Sequence, residues 1–309
     1  MADPAKGGEA DVPIHDVKNR VEDQTSGLEQ YRNLPSLVKR SAGGRTTKAG
    51  RKGHRATVPA MAAPLDPYLK KESALNARFR GIDALDRSEW KAVTTQNAND
   101  VPLDAERACV ARVKSSHKGI GDRKALKHLI AGAVDQAYLD EICTIRGLER
   151  LDLAYPVTAK SLDGLRALGR LRHLKIDSPR NIADFTPLLE LPSLKTLLVE
   201  NAKHMADIAW LAGAHHLEVI GIEGSMWTAQ KIPTLAPLAG LKGLRAFFAT
   251  STRLGDKDLS PLAECPRLEL LGCAQFVPRE EFERLHRMKP DLICSWFHPK
   301  LWDAIKNIR

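Results

Sequence analysis

The sequence predicts an α/β solenoid with a parallel β-sheet on its concave face and short helices on its convex face. Two observations carry this prediction: an apolar motif recurs at a steady spacing, and a second apolar group follows each copy. The copies of the motif, apolar-x-x-apolar-x-apolar, begin at Leu148, Leu171, Leu194, Leu217, Leu244 and Leu268. Their steps of 23, 23, 23, 27 and 24 residues are typical of solenoids, in which each repeat buries its apolar edge against its neighbours.

The spacing inside one repeat indicates a strand followed by a helical turn. The last two apolar positions of a motif, such as Leu174 and Ile176, are two residues apart and point to the same side of a strand. The second apolar group of the same repeat consists of Ile182, Phe185, Leu188 and Leu191. Thr186-Pro187 and Ser260-Pro261 favour helix starts on the convex side, with a capping hydroxyl and a proline in the first turn.

The two ends of the solenoid need separate interpretation. Residues 124–147 align with the following repeat at two places, so we interpret them as a degenerate first repeat. The alternative is an amphipathic helix that begins after Asp122. At the other end, Leu292 follows Leu268 by 24 residues. We expect one last strand there and then a terminal segment, with Trp302, that covers the exposed edge of the core.

These motifs resemble the leucine-rich repeat family over about residues 125–297. The segments 182–188 and 205–211 resemble the short, internalin-type repeats that are common in bacteria. The resemblance implies an α/β horseshoe or arc that recognises other proteins. The family usually has an asparagine three residues after the last strand leucine, and this chain does not. Those positions hold Pro156, Pro179, Ala202, Ser225, Thr252 and Phe276. We therefore expect the turn after each strand to be satisfied by other polar groups.

The chain before the repeats is divided into two parts by composition. Residues 1–60 are predicted to be a disordered basic arm, because a glycine-rich, weakly apolar segment cannot offset its ordering entropy. Residues 61–120 are predicted to be loosely structured and loosely docked, with short helices over 64–79 and 103–113. Residues 121–309 then form the leucine-rich repeat domain with its terminal caps.

The positive charge is concentrated in the arm. The chain has a formal net charge of +9, and seven cations without an acid lie between residues 39 and 55: Lys39, Arg40, Arg45, Lys48, Arg51, Lys52 and Arg55. Such a segment can neutralise phosphates without reading sequence. This makes a nucleic-acid-associated protein, tethered by the arm, one alternative function. A plain solvating tail is the other interpretation of the arm.

A column of acidic residues predicts a binding site on the concave face. The positions after the last strand residue include Asp177, Glu200 and Glu223. Because parallel strands lie about 4.8 Å apart, these like charges repel one another, and only Lys175 is near enough to offset them. We predict that a basic or amphipathic partner segment binds this ladder beside exposed Leu198 and Phe248. The alternative is a solvated face without a partner.

The fourth repeat carries a second candidate contact. Its four extra residues form a predicted loop with Met226 and Trp227. Aromatic residues on loops often anchor interfaces, so we assign both residues to the partner site. The alternative is that Trp227 packs back on the convex side as local core.

Nothing in the sequence predicts catalysis. It contains no P-loop and no GxSxG motif, and it predicts no metal site and no cofactor. Its five cysteines, odd in number and without a CxxC pair, argue against a disulfide framework. No signal peptide is predicted. We therefore predict a cytoplasmic, monomeric, non-enzymatic scaffold that binds a protein and no membrane. A translocated bacterial effector is a further alternative, because a disordered N-terminus suits export.

Overall fold

A computed structural model describes residues 65–81 and 94–306, and it confirms the predicted leucine-rich repeat solenoid. Within these residues nine parallel strands form one sheet in the order β1-β2-β3-β4-β5-β6-β7-β9-β11, and β8 pairs with β10 in a separate two-stranded sheet. Short helices follow most strands and pack on one face of the large sheet. Sequential, parallel pairing of this kind is what a chain of stacked repeats produces.

The elements have the following bounds. The strands are β1 (Thr94–Thr95), β2 (Arg107–Ala111), β3 (His128–Val134), β4 (Arg150–Val157), β5 (His173–Asp177), β6 (Thr196–Glu200), β7 (Val219–Glu223), β8 (Gln230–Ile232), β9 (Ala246–Ala249), β10 (Thr252–Leu254) and β11 (Leu270–Cys273). The α-helices are α1 (Leu65–Arg80), α2 (Gln136–Ile142), α3 (Ser260–Ala263), α4 (Arg279–Met288) and α5 (Pro299–Lys306). The 3-10 helices are Ala98–Asp100, Ile120–Asp122, Asp163–Ala167, Thr186–Glu190, Ala209–Leu211, Ala236–Leu238 and Ser295–Phe297.

The apolar motif occupies the core positions that the sequence predicted for it. The motif residues from Leu148 to Leu271 are buried in one continuous cluster that also holds the second apolar group of each repeat. Neighbouring motif residues stack in register: Leu174 of β5 lies opposite Leu197 of β6, which lies opposite Ile220 of β7. Each repeat therefore completes the core of the next, and the core runs the length of the solenoid.

The solenoid starts earlier than the boundary at residue 121 that the sequence predicted. Residues 128–134 form strand β3, as the degenerate first repeat requires, and not the alternative helix after Asp122. Strand β2 pairs with β3, and β1 pairs with β2, so residues 94–120 also belong to the sheet. The helix predicted over 103–113 is wrong, because Cys109 and Val110 lie in a buried strand. A short apolar run such as residues 108–111 does not distinguish a buried strand from a helix.

The convex helices start at the predicted places, but a different group caps them. Pro187 and Pro261 lie in the first turn of their helices, as expected. The hydroxyls of Thr186 and Ser260 do not cap these helices. Instead, the Asp184 carboxylate accepts hydrogen bonds from the backbone and the hydroxyl of Thr186, and Asp258 does the same for Ser260. A carboxylate two residues ahead of the turn satisfies the same donors as a hydroxyl cap.

Two of the turns after the strands, those that follow β4 and β6, are stabilised by glutamine side chains. Buried Gln230 accepts a hydrogen bond at 2.9 Å from the backbone N–H of Ala202, which lies 28 residues earlier in the preceding repeat. Gln136 in α2 accepts from the N–H groups of Lys160 and Ser161 at 2.9 and 3.0 Å. The longer glutamine side chain reaches the neighbouring turn from a different position, so the solenoid needs no asparagine ladder here.

An aromatic cluster closes the C-terminal end of the core. Trp296 donates a hydrogen bond to the carbonyl of Cys273, and Trp302 donates to the carbonyl of Trp296. Phe282 of α4 packs against both rings. Residues 295–297 form a 3-10 helix, and Ile293 makes a single bridge to Leu270, so the predicted last strand is reduced to one residue pair. The predicted cover by Trp302 is confirmed.

Replacing Gln230 with alanine should destabilise the solenoid because the N–H of Ala202 is then buried without an acceptor. Loss of one buried hydrogen-bond partner costs about 1–3 kcal/mol. We expect the free energy of unfolding, measured in urea, to fall by that amount. Lys231→Ala, at the adjacent exposed position, is the matched control and should change it by less than about 0.5 kcal/mol. Equal effects of the two changes would contradict this role of Gln230.

Candidate interaction surface on the concave face

The side chains between the core positions of each strand form in-register columns on the sheet face opposite the helices, which we call the concave face. The middle column runs through Asp152, Lys175, Leu198, Gly221, Phe248 and Gly272. The next column places Asp177 opposite Glu200, and Glu200 opposite Glu223. The register predicted for the acidic ladder is therefore present.

Helix α1 lies across this face and covers much of it. Its 16 residues span about 24 Å at 1.5 Å per residue. This equals about five spacings of 4.8 Å between parallel strands. The side chain of Tyr68 bonds to Cys294 beyond β11, whereas the carbonyl of Gly81, just after α1, accepts a hydrogen bond from Arg150 of β4. The helix thus extends from the last repeat toward the middle of the sheet. The sequence predicted that residues 61–120 are loosely docked, and for α1 this prediction is wrong.

Phe79 anchors α1 in an apolar pocket of the concave face. The pocket is a buried cluster separate from the main core, formed with Leu198, Val219, Ala246, Phe248, Leu270 and Ile293. The guanidinium of Arg245 lies 5.2 Å from the centre of the Phe79 ring. Leu198 and Phe248 are 5% and 0% exposed. The expectation that these two residues are exposed is therefore wrong, because a helix of the chain itself covers them.

Arg80 binds the last acid of the predicted ladder. Its guanidinium donates two hydrogen bonds to the Glu223 carboxylate, at 2.8 and 2.7 Å, and stacks 4.0 Å from the centre of the Phe248 ring. Burial alone raises the pKa of the Glu223 carboxyl, but the charge and hydrogen bonds of Arg80 outweigh burial and hold this pKa below its usual value. A bidentate pair of this kind combines charge with strict geometry.

The N-terminal half of α1 is held by polar contacts with the last repeat. The Tyr68 hydroxyl donates to the carbonyl of Cys294 and accepts from its N–H group, at 2.8 and 2.9 Å. Glu72 accepts hydrogen bonds from the backbone N–H and the hydroxyl of Ser295. Burial raises the pKa of the Glu72 carboxyl above its ordinary value of 4.5, against the opposing effect of these hydrogen bonds. A charge on Glu72 is therefore costly in this position.

Two glycines of the middle column make room for these contacts. A Cβ atom on Gly272 would lie 2.5 Å from the Phe248 ring and 3.1 Å from the amide oxygen of Asn76 in α1. A Cβ atom on Gly221 would lie 2.7 Å from Leu198. Side chains at these two positions would therefore displace the ring under Arg80 or lift the helix. Glycine in a strand often marks such a close approach.

The rest of the acidic ladder lies beside α1 and is partly open. Lys175 lies 3.7 Å from the carboxylate of Glu200, and the hydroxyl of Ser178 donates to Asp177. Burial raises the pKa of the Glu200 carboxyl, Lys175 opposes this effect, and the neighbouring acids Asp177 and Glu223 add to it. The repulsion predicted between the ladder acids is thus present at its centre.

Met226 and Trp227 project from the loop between β7 and β8. Their exposed fractions are 63% and 89%, so Trp227 does not pack back on the convex side. The hydroxyl of Ser225 accepts hydrogen bonds from the N–H groups of Trp227 and Thr228 and shapes the loop. The loop follows Glu223 directly, so both apolar side chains lie at the same edge of the sheet as the ladder.

A buried polar cluster lies on the concave face next to the end of α1. Arg150 donates a hydrogen bond to Asp152 at 2.8 Å, and the ring of His173 lies 3.5 Å from the other oxygen of the same carboxylate. Burial lowers the pKa of His173 to about 3 despite the attraction of Asp152, so the imidazole is neutral at physiological pH. The cluster supplies the Arg150 guanidinium that binds the carbonyl of Gly81.

The cysteines and metal-binding side chains of the described residues are dispersed or buried. The five cysteines are free and buried. Burial raises the pKa of the thiols of Cys109 and Cys265 to about 11 and that of Cys143 to about 12, so these thiols carry no charge at neutral pH. Within residues 65–81 and 94–306, no three metal-binding side chains come together. No helix in this part of the chain has the length and apolar character to span a membrane.

The residues that hold α1 were missed at the sequence level, apart from Glu223, Leu198 and Phe248. The signal that could have found them is the spacing of Tyr68, Glu72, Asn76 and Phe79, at intervals of four, four and three residues, which places them along one helix face. The face mixes polar and aromatic residues, so a search for apolar periodicity does not detect it. The cations predicted to bind nucleic acid, between residues 39 and 55, lie outside the described residues.

Comparison with solved structures finds other leucine-rich repeat proteins. Internalin C2 from Listeria monocytogenes is 23% identical, over 51% of this chain and 67% of that one, with a TM-score of 0.36. Another Listeria internalin (inlF) is 17% identical over 71% and 66% of the two chains, with a TM-score of 0.39. A leucine-rich repeat protein from Leptospira interrogans is 16% identical over 64% and 51%, with a TM-score of 0.47. No protein-family model and no curated protein matches the chain.

The class of protein follows from the repeat itself. A motif of about 23 residues, one parallel strand per repeat and a short helix on the opposite face are the features of the leucine-rich repeat fold. The matched region covers between 51% and 67% of these three proteins.

Removal of the Arg80 guanidinium should loosen α1 without unfolding the sheet. Charge-assisted hydrogen bonds contribute about 1.5–3 kcal/mol, so we expect Arg80→Ala to lower the hydrogen-exchange protection of the α1 amides by about tenfold or more. Protection in β5 to β7 should stay unchanged. Lys71→Ala, on the exposed face of the same helix, is the matched control. Unchanged α1 protection in Arg80→Ala would show that Glu223 does not hold the helix.

The raised pKa of Glu72 predicts a pH-dependent difference between the wild type and Glu72→Gln. Between the ordinary pKa of 4.5 and the raised folded value, the folded wild type binds more protons than the unfolded chain, so its stability falls as pH rises. Glutamine does not titrate. We expect the unfolding free energy of the variant, minus that of the wild type, to increase as pH rises above 4.5.

Glu106→Gln is the opposite control for this measurement. The hydrogen bond from Lys127 lowers the pKa of Glu106, so wild-type stability contributed by this acid is lost as pH falls. The corresponding free-energy difference should therefore decrease as pH rises toward 4.5. A flat difference for Glu72→Gln across pH 4 to 7 would contradict the burial of a charged carboxylate in this contact.

Proposed function

We propose that the protein is a non-enzymatic interaction scaffold that binds a protein segment through its concave face. One observation carries this proposal: the face already holds a helix, with an aromatic pocket for Phe79 and a carboxylate for Arg80. Surfaces that accept an amphipathic helix in a groove are a recurring mode of peptide recognition.

The proposed site comprises three groups of residues. Glu223, Leu198 and Phe248 form the part that α1 now covers. Asp177, Glu200 and Lys175 form the partly open part of the ladder. Met226 and Trp227 form an apolar contact at the same edge of the sheet. Exposed aromatic side chains contribute strongly to interfaces when they become buried there, so Trp227 gives the open edge an anchor that the ladder itself does not have.

We further propose a reduced, cytoplasmic protein that acts as a monomer. The five free, buried thiols support the reduced state. The raised pKa values of Cys109, Cys143 and Cys265 and the neutral His173 support a role without nucleophilic catalysis, because the reactive form of cysteine is the thiolate.

Capture of partners from nuclease-treated native lysate tests the proposal. We expect Trp227→Ala, and separately the pair Asp177→Asn with Glu200→Gln, to reduce recovery of the partner at least tenfold relative to the wild-type full chain. A tenfold loss corresponds to about 1.4 kcal/mol, which truncation of one hot-spot side chain reaches.

Two matched controls accompany these variants. Leu103→Ala removes another exposed apolar side chain, and Asp163→Asn with Glu190→Gln removes one aspartate and one glutamate from the convex helices. Both should leave recovery of the partner unchanged. Equal recovery with the Trp227 and ladder variants would eliminate the edge of the concave face as the site. Loss of all recovery after nuclease treatment would favour tethering by nucleic acid.

A further inference from the structure

We propose that α1 is a displaceable internal ligand of the concave face, and that the external partner is a protein helix with an aromatic residue and an arginine side by side in its last turn. This inference rests on the function proposed above and names the kind of partner that the same face accepts. Three observations support it: the chemistry of the pocket, the nature of the surface under α1, and the contacts that hold α1 in place.

The pocket selects an aromatic residue followed by arginine. The Phe79 ring enters the apolar cluster near the Arg245 guanidinium, while the Arg80 guanidinium binds Glu223 and lies over the Phe248 ring. A lysine cannot form the bidentate contact or stack in this way, and an aliphatic residue in place of the phenylalanine would lose the cation–π contact with Arg245. The face therefore recognises the Phe79 and Arg80 side chains as a pair.

The surface under α1 requires a cover. The pocket residues Leu198, Val219, Ala246, Phe248, Leu270 and Ile293 are all buried, and they form a cluster apart from the solenoid core. If α1 left, these neighbouring apolar side chains would face water together. Contiguous apolar patches of this kind mark binding sites. The face is consequently covered either by α1 or by another helix of similar chemistry.

The contacts of α1 make exchange feasible. Among the described side chains of α1, Phe79 is the buried apolar one, and Tyr68 and Leu75 are partly buried. The remaining buried groups, Glu72 and Asn76, are polar. Burial opposes the charge of Glu72, and Asn76 donates to the carbonyl of Glu72 in its own helix. Apart from the hydrogen bonds that Tyr68 and Glu72 make to the last repeat, the attachment therefore depends mainly on the final two residues of the helix.

Competition between α1 and an external helix lowers the apparent affinity of the external helix by a predictable factor. An external helix can bind only the fraction of molecules in which α1 has left, so its apparent dissociation constant increases by the reciprocal of that fraction. A helix joined to its own groove acts at an effective concentration on the order of 1 mM. Against an intrinsic dissociation constant of about 10 μM, it would lower the apparent affinity of a partner about 100-fold.

A labelled peptide of residues 65–81 provides the test, by fluorescence anisotropy with the full chain. We expect the release variant Phe79→Ala/Arg80→Ala, which vacates the pocket, to bind the peptide at least tenfold more tightly than the wild type. Lys70→Ala/Lys71→Ala, two exposed cations of the same helix, should behave as the wild type. In the release variant, a further Glu223→Gln change should weaken the peptide at least tenfold, as should Arg80→Lys in the peptide.

A second measurement keeps the test valid if the release variant folds poorly. Hydrogen exchange of the isotope-labelled wild-type chain is measured with excess unlabelled peptide. The amides of α1 should lose protection, whereas the protection of β6 and β7 should stay unchanged. Equal, weak peptide binding by the wild type and a folded release variant, with unchanged α1 exchange, would overturn displacement. Sedimentation that shows dimers, in which α1 of one copy covers the concave face of the other, would overturn the proposal in favour of a second copy as the occupant.

These results are separable from a failure of the proposed function. The peptide assay does not involve Trp227 or the open ladder acids Asp177 and Glu200. Variants of these three residues could retain the captured partner while the release variant binds the peptide. That result would contradict the proposed site at the open edge and support the displacement of α1. The reverse combination would leave the scaffold function intact and remove α1 as its internal ligand.

Discussion

The in-register stacking of parallel strands is the constraint on which the rest of the structure depends. Each strand buries its motif residues against the strands beside it and the convex segments behind it, as Leu197 does between Leu174 and Ile220. Because side chains alternate across a strand, the same register that builds the core also aligns the residues of the opposite face. Core and binding surface are therefore determined together, and a shift of one residue in any repeat would disrupt both.

The concave face shows how aligned columns become a site for a helix. Side chains from successive repeats recur at intervals of about 4.8 Å, so a helix of 16 residues can contact several repeats at once. Glycine at positions 221 and 272 leaves space for neighbouring side chains on the face, and Phe248 and Leu198 line its apolar pocket. Glu223 then fixes the position of the helix along the sheet through Arg80, because a bidentate pair tolerates little displacement.

The departures from a regular repeat also have physical explanations. Buried backbone donors need acceptors, and Gln230 and Gln136 supply them at two turns that lack asparagine at the family's usual position. The added loop residues after β7 leave three residue pairs between β7 and β9 and carry Trp227 into solvent at the edge of the sheet. The irregular C-terminal end, with Trp296 and Trp302 over the last repeat, prevents an open core.

The sequence by itself determined the repeats, the strand register, the ladder and the convex helices, because each depends on spacings within one or two neighbouring repeats. It predicted a helix near residues 64–79 but not that this helix lies on the concave face. It therefore predicted that Leu198 and Phe248 are exposed. Only the tertiary structure decided that α1 covers them. The contacts concerned, Tyr68 with Cys294 and Arg80 with Glu223, join residues 226 and 143 positions apart. They involve single polar and aromatic side chains rather than a periodic pattern, so no local rule could pair them.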